Sequence, residues 1–128
     1  MKDMLERDLW ADYFDGFNER NKARPTWLQV FGDMGAQSEE QGLPLAGISL
    51  EDKGVDAPRV QIMLGGTSAI QQEHLTHMIS NVEHIVPQLG LDGRDEAIEF
   101  VDKQGQTSLL VFKHRARMAA PSPPALLV

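Results

Sequence analysis

Three histidines, His74, His77 and His84, follow Glu73 in one short stretch of the chain. A neutral imidazole is the commonest protein metal ligand, and two histidines near a carboxylate can hold Zn²⁺ with a position left open for water. On a helix the three project at about 0°, 300° and 280°, an arc of about 80°. On a strand, His74 and His77 point to opposite faces and share a ligand shell only through a bend or bulge. The spacing His-x-x-His also lacks the i, i+4 pair of the His-Glu-x-x-His zinc motif. Surface histidines, or one hydrogen-bonded beside Thr76, therefore compete with the metal reading. If the ligands converge, the chemistry is that of a metal-dependent enzyme, with Zn²⁺ or another divalent metal and Glu73 polarising a bound water as general base.

Other candidates are weaker. Gly65-Gly66-Thr67-Ser68 offers backbone N–H groups and hydroxyls to an anion but lacks the spacing and lysine of a phosphate-binding loop, and reads as a turn. The pairs Glu39-Glu40, Glu51-Asp52 and Asp95-Glu96 are adjacent carboxylates, which on a strand face opposite ways and solvate a surface. Ser38, Ser49, Ser68, Ser80 and Ser108 have no nucleophile-elbow context, and spacing assigns none of them a histidine. The catalytic residues are thus unassigned, and no cofactor is expected beyond the divalent metal of the alternative reading.

Composition narrows the function classes further. The 128 residues include 19 acidic and 12 basic side chains, a formal net charge of −7, which opposes phosphate backbones and argues against nucleic acid. Hydrophobic residues make up 41% and charged residues 24%, the balance of a soluble globular domain rather than a disordered chain. With no cysteine there is no disulfide framework or thiolate site. No apolar run is long enough for a membrane span, so a cytoplasmic protein is expected.

The elements that must position these residues begin with a helix. Leu5, Leu9, Tyr13 and Phe17 recur four apart with Trp10 and Phe14 beside them, and Gly16 and Pro25 stop the pattern near residues 18–21. These aromatics, with Trp27, read as core or as an exposed aromatic patch. Residues 27–31 read as a strand, and residues 36–51, broken by Gly42, Pro44 and Gly47, as a bent or bulged edge strand. Val60, Ile62 and Leu64 alternate as in a strand with one buried face. Residues 97–101 and 107–112 form a hairpin, the second strand apolar on both faces and so central in its sheet. Residues 73–89 carry seven apolar positions at helical spacing, and periodicity alone reads them as a helix.

Several pieces taken in order, Trp10-Ala11-Asp12-Tyr13-Phe14-Asp15-Gly16-Phe17, Gly35-Ala36-Gln37, Leu43-Pro44-Leu45-Ala46-Gly47-Ile48, Ile62-Met63-Leu64-Gly65 and His74-Leu75-Thr76-His77, resemble a family of small bacterial proteins catalogued only as a domain of unknown function. Asp95-Glu96-Ala97-Ile98-Glu99-Phe100 and Leu109-Leu110-Val111-Phe112 complete the resemblance, which spans roughly residues 8–113. It brings no activity, ligand or catalytic residue. It does imply a turn and a strand where the periodicity suggests one helix, so strands are expected near residues 74–79 and 83–89.

The expected architecture is α+β, an N-terminal amphipathic helix packed on a strongly bent antiparallel sheet or small β-barrel of about five to six strands. Residues 1–114 form the one domain and residues 115–128, rich in proline, a flexible tail. The expected function is a non-catalytic binding or accessory module that meets a protein partner or its own copies, by strand addition across the edge at residues 43–50. Neither nucleic acid nor membrane is an expected partner.

Overall fold

The computed structural model describes residues 4–33, 35–66 and 73–113. Residues 115–128, expected as a tail, lie outside them. A 3-10 turn at Arg7–Leu9 leads into helix α1, Trp10–Asn21. Its buried stripe is Trp10, Phe14, Phe17 and Asn21, while Leu9 is exposed, because the chain at residues 5–9 has not yet entered the α-helix. The apolar spacing that includes Leu5 and Leu9 therefore overextends the helix by about a turn.

Strands β1 (Pro25–Gly32), β2 (Gly35–Glu51), β3 (Arg59–Gly65), β4 (His74–Ile79), β5 (Val82–Leu89), β6 (Asp95–Asp102) and β7 (Thr107–Phe112) make one antiparallel sheet. Its order is β4-β3-β2-β1-β7-β6-β5, seven strands among the described residues rather than five or six. Residues 73–89 are two strands, as the resemblance implies and against the helical periodicity. β4 and β5 are the first and last strands of the sheet, yet only Ser80 and Asn81 separate them in sequence. The sheet must therefore curl until its ends meet at a corner, where Asn81 N–H donates to the Asp56 carbonyl at 2.8 Å and Val82 N–H to the Pro58 carbonyl at 2.9 Å. The ladder remains open, so the architecture is the bent sheet of the two expected forms and not a closed barrel.

β2 corrects the expectation most. Its first part pairs with β1 as far as Pro44, and its second part pairs with β3 from Leu45 onward. Gly42, at φ +108°, supplies a backbone conformation that L side chains rarely adopt, close to where β2 changes partner. The strand is bent as expected, but it is internal. Its second part is also covered on the side away from β3: Ala23 N–H donates to the Leu45 carbonyl, Leu45 N–H donates to Arg24, and Asn18 bonds both the N–H and the carbonyl of Ile48 at 2.8 Å. Residues 43–50 therefore belong to an internal strand rather than an edge strand, and Leu45 is fully buried.

The concave side of the curled sheet holds the core. Alternation along β6 and β7 aims Ile98, Phe100, Ser108, Leu110 and Phe112 inward, and α1 lays Phe14 against Phe100 and Phe17 against Phe112 with ring centroids 6.3 and 5.7 Å apart. β7 is internal, as its two-sided apolar pattern requires. Trp27, whose neighbours Thr26 and Leu28 are buried, faces the opposite side and donates its indole N–H to Ser38 at 2.8 Å. The aromatics therefore form a core under α1 and not a joint surface patch.

Candidate functional site

Strand alternation separates the histidines. Along β4 the less exposed positions are Leu75, His77 and Ile79, so His77 faces the core side while His74, Thr76 and Met78 face out. His84 is exposed on β5, at the far end of the sheet order. Among the described residues no three histidine, aspartate or glutamate side chains are grouped to hold a metal ion. The proposed ligands His74, His77 and His84 are thus not gathered beside Glu73, for the reason that a strand turns successive side chains to opposite faces.

One histidine does find a serine. His77 Nε2 lies 3.1 Å from Ser108 Oγ, and Ser108 on β7 is only 1% exposed. This contact ties the edge strand β4 to an inner strand four places away in the sheet, across the concave side. Sequence spacing gives no hint of it, because the two residues meet only through the curl; the one usable signal is that Ser108 shares the inward parity of Leu110 and Phe112.

A second polar cluster went unread in the sequence. Between β5 and β6 the register passes from Gln88↔Ala97 to Leu89↔Asp95, leaving Glu96 as an extra residue. Such a bulge re-aims the neighbouring side chain, and Asp95, 6% exposed, turns toward the end of α1. Its Oδ2 accepts from Arg20 Nε at 2.7 Å and Asn21 Nδ2 at 2.9 Å, and its Oδ1 from Arg20 Nη2 at 3.2 Å. Arg24 Nη1 donates to Asn21 Oδ1 at 2.7 Å and to the Asp95 carbonyl at 3.0 Å, with its guanidinium 4.2 Å from the Phe112 ring centre. Burial by itself would raise the Asp95 carboxyl, but the hydrogen bonds from Arg20 and Asn21 and the two arginine charges outweigh it and hold the group below its usual range. The same bond raises Arg20, whereas burial lowers Arg24 and, with the Asp95 charge, raises the Tyr13 hydroxyl. A carboxylate held ionised with its oxygens already bonded is a clamp between helix and sheet, not an acid or base awaiting a substrate. Asp95-Glu96 is accordingly no solvated pair. The side chains of Glu39 and Glu40, and Thr67 and Ser68 of the glycine run, lie outside what is described.

The two edges of the sheet differ in a way that bears on partners. β5 carries Pro87, two register irregularities, and a hydrogen bond from Leu5 N–H to the Ile85 carbonyl at 2.7 Å. Proline, bulges and a covering segment are the devices that blunt an edge against further pairing. β4 has no such bulge: it runs in unbroken register with β3 from His74↔Gly65 to Ile79↔Val60, and contains no proline, lysine or acid. Only β3 lies beside it among the described strands. Next to its C-terminal end a groove of about 150 Å³ opens between Met78-Ile79-Ser80 and the β6–β7 turn at Asp102, Lys103, Gln104 and Gln106. A larger one, about 340 Å³, flanks the other side of that turn against Phe31, Gly32 and Asp33.

The model of the Family of unknown function (DUF5335) matches residues 1–122, nearly the whole chain. The chain belongs to that family. Membership in DUF5335 agrees with the resemblance drawn from the Trp/Phe helix and the Leu-Pro-Leu, Ile-Met-Leu-Gly and His-Leu-Thr-His segments. No curated protein and no solved structure matches the chain. No helix among the described residues is long and apolar enough to cross a membrane.

Proposed function

We propose that this DUF5335 chain is a non-catalytic, cytoplasmic binding module that takes up an extended segment of a protein as an added strand beside β4. The observation that carries the reading is the contrast between the two ends of one sheet, β5 guarded by Pro87, bulges and Leu5, β4 regular, without proline or bulge, and with β3 alone beside it among the described strands. A regular edge strand presents main-chain donors and acceptors at strand spacing, and main-chain bonds give strand addition its affinity while alternate side chains give it selectivity. His74, Thr76 and Met78 supply that alternate row on the outer side. The net charge of −7 supports a protein rather than a nucleic acid as the occupant.

The test is a heteronuclear NMR titration of the dilute chain with an alternating Thr/Val octapeptide. Saturable shifts at residues 74–79, abolished when alternate peptide amides are N-methylated, are expected. Absence of shifts at β4, or equal shifts at β5, would overturn the reading. Leu45→Lys is not a useful probe, because Leu45 is a fully buried core residue and its loss reports on folding.

A further inference from the structure

We infer that the turn joining β5 to β6 is a site of covalent modification, at which Asp92 isomerises to isoaspartate through a cyclic imide with Gly93. The product loosens the clamp that Asp95 makes on α1. An aspartate closes such an imide on the backbone nitrogen of the next residue, and a glycine there leaves the nitrogen accessible because it has no Cβ. The sequence holds two Asp-Gly pairs, Asp15-Gly16 and Asp92-Gly93, and no Asn-Gly pair. Their settings in the fold are opposite. Asp15 and Gly16 lie within α1, flanked by Phe14 and Phe17 of its buried stripe, so attack at the Gly16 nitrogen requires opening a helical turn that carries core side chains. Asp92 and Gly93 are exposed, Gly93 has φ +83°, and beyond its chain neighbours nothing lies within 4 Å of where a Cβ on it would be.

The turn also aims the reacting groups. Asp92 Oδ1 accepts from the Arg94 N–H at 3.0 Å, an Asx turn that folds the carboxyl forward over the peptide bond to Gly93. The backbone bond that must open is from Gly93 N–H to the Gly90 carbonyl at 3.0 Å, in a turn whose residues 91–94 are all exposed. The Gly93 nitrogen then bonds to Asp92 Cγ, and the hydroxyl of the protonated carboxyl leaves with the nitrogen's proton as water. A second water opens the imide: at Cγ it restores aspartate, and at the α-carbonyl it leaves the chain running through Cβ and Cγ. Water is the only co-reactant, and the mass returns to its starting value. The isomer lengthens the backbone by a carbon and removes the Asp92–Arg94 bond, inside a turn that Gly90 N–H closes on the Arg94 carbonyl at 2.9 Å. The next residue is Asp95, whose carboxylate holds Arg20 and Asn21 of α1. A displaced Arg94 carbonyl therefore pulls directly on the clamp.

The test incubates the full chain for weeks in warm neutral buffer and reads isoaspartate by enzymatic transfer of a labelled methyl group from S-adenosylmethionine, with peptide mapping to place it. The native chain should carry about tenfold or more label in the peptide containing Asp92 than in the one containing Asp15, since an exposed turn opens more readily than a helix that holds the core. Chain held unfolded in guanidinium should carry label in both. Asp92→Asn should convert faster through the same imide, now with release of ammonia and a gain in mass. Asp92→Glu should leave the turn unlabelled, because its larger ring closes poorly. Residue 92 is exposed, so both variants should keep the wild-type amide spectrum outside the turn. The isomerised chain, separated from the parent, should exchange amides at the end of α1 and the start of β6 faster than the parent does. A native chain without label at Asp92, or with equal label at Asp15, would overturn the site. Unchanged exchange in α1 and β6 would overturn its coupling to the clamp.

Discussion

Asp95 shows how much one residue's setting can depend on backbone the sequence does not announce. Its neighbours in sequence mark it as one of two exposed carboxylates, yet the extra residue at Glu96 turns it into the clamp between α1 and β6. The sign of its pH effect follows from its lowered folded pKa. The stabilisation is complete above the unfolded value of about 3.9 and is lost as pH falls through the folded value below it. Asp95→Asn keeps the shape but removes the charge, and should cost about 1–3 kcal/mol at neutral pH, less than a fully buried pair because Arg20 reaches solvent. It should also flatten the acid limb of the stability profile. Urea unfolding of both proteins at pH 7 and at pH 3 checks this, and equal losses in the variant and the wild type on acidification would contradict it. His77 and Ser108 were illegible for a related reason: each has an ordinary local sequence, and only the curl brings them within hydrogen-bond reach.

At the scale of elements, most of the fold was readable. The β6–β7 hairpin, the alternation of β3 and the bend of β2 follow from turn residues and period-two patterning. The stretch at residues 73–89 did not, because two short strands joined by Ser80-Asn81 happen to space their apolar side chains as a helix would. β2 was legible as bent but not as internal, since Gly and Pro mark where a strand bends and say nothing of what lies on either side. The edge strand β4 is held by its hairpin with β3, where Gly65 has φ +82° and a Cβ would overlap the Glu73 carbonyl oxygen. Gly65→Ala should therefore cost about 2–3 kcal/mol through strain and displacement of the chain entering β4. Faster amide exchange at residues 74–79 than at β6 and β7 is the expected readout, and uniform exchange across the sheet would contradict it.

For the whole molecule, one continuous core under the curled sheet ties the helix, the clamp and both edges together. Phe112 belongs to it, 1% exposed, with Phe17 beside it and the Arg24 guanidinium over its ring. Phe112→Ala should cost about 3–5 kcal/mol by thermal or urea unfolding, with a single transition if the chain is one cooperative unit. A loss under about 1 kcal/mol would contradict this packing. The surface that carries the proposal depends on sheet order, which no local pattern encodes. The most direct measurement of that proposal is residue-resolved amide hydrogen exchange of the dilute chain with and without the Thr/Val octapeptide. New protection at alternate amides of residues 74–79, with β5 unchanged, is the predicted result; no protection at β4, or protection shared equally with β5, would contradict it.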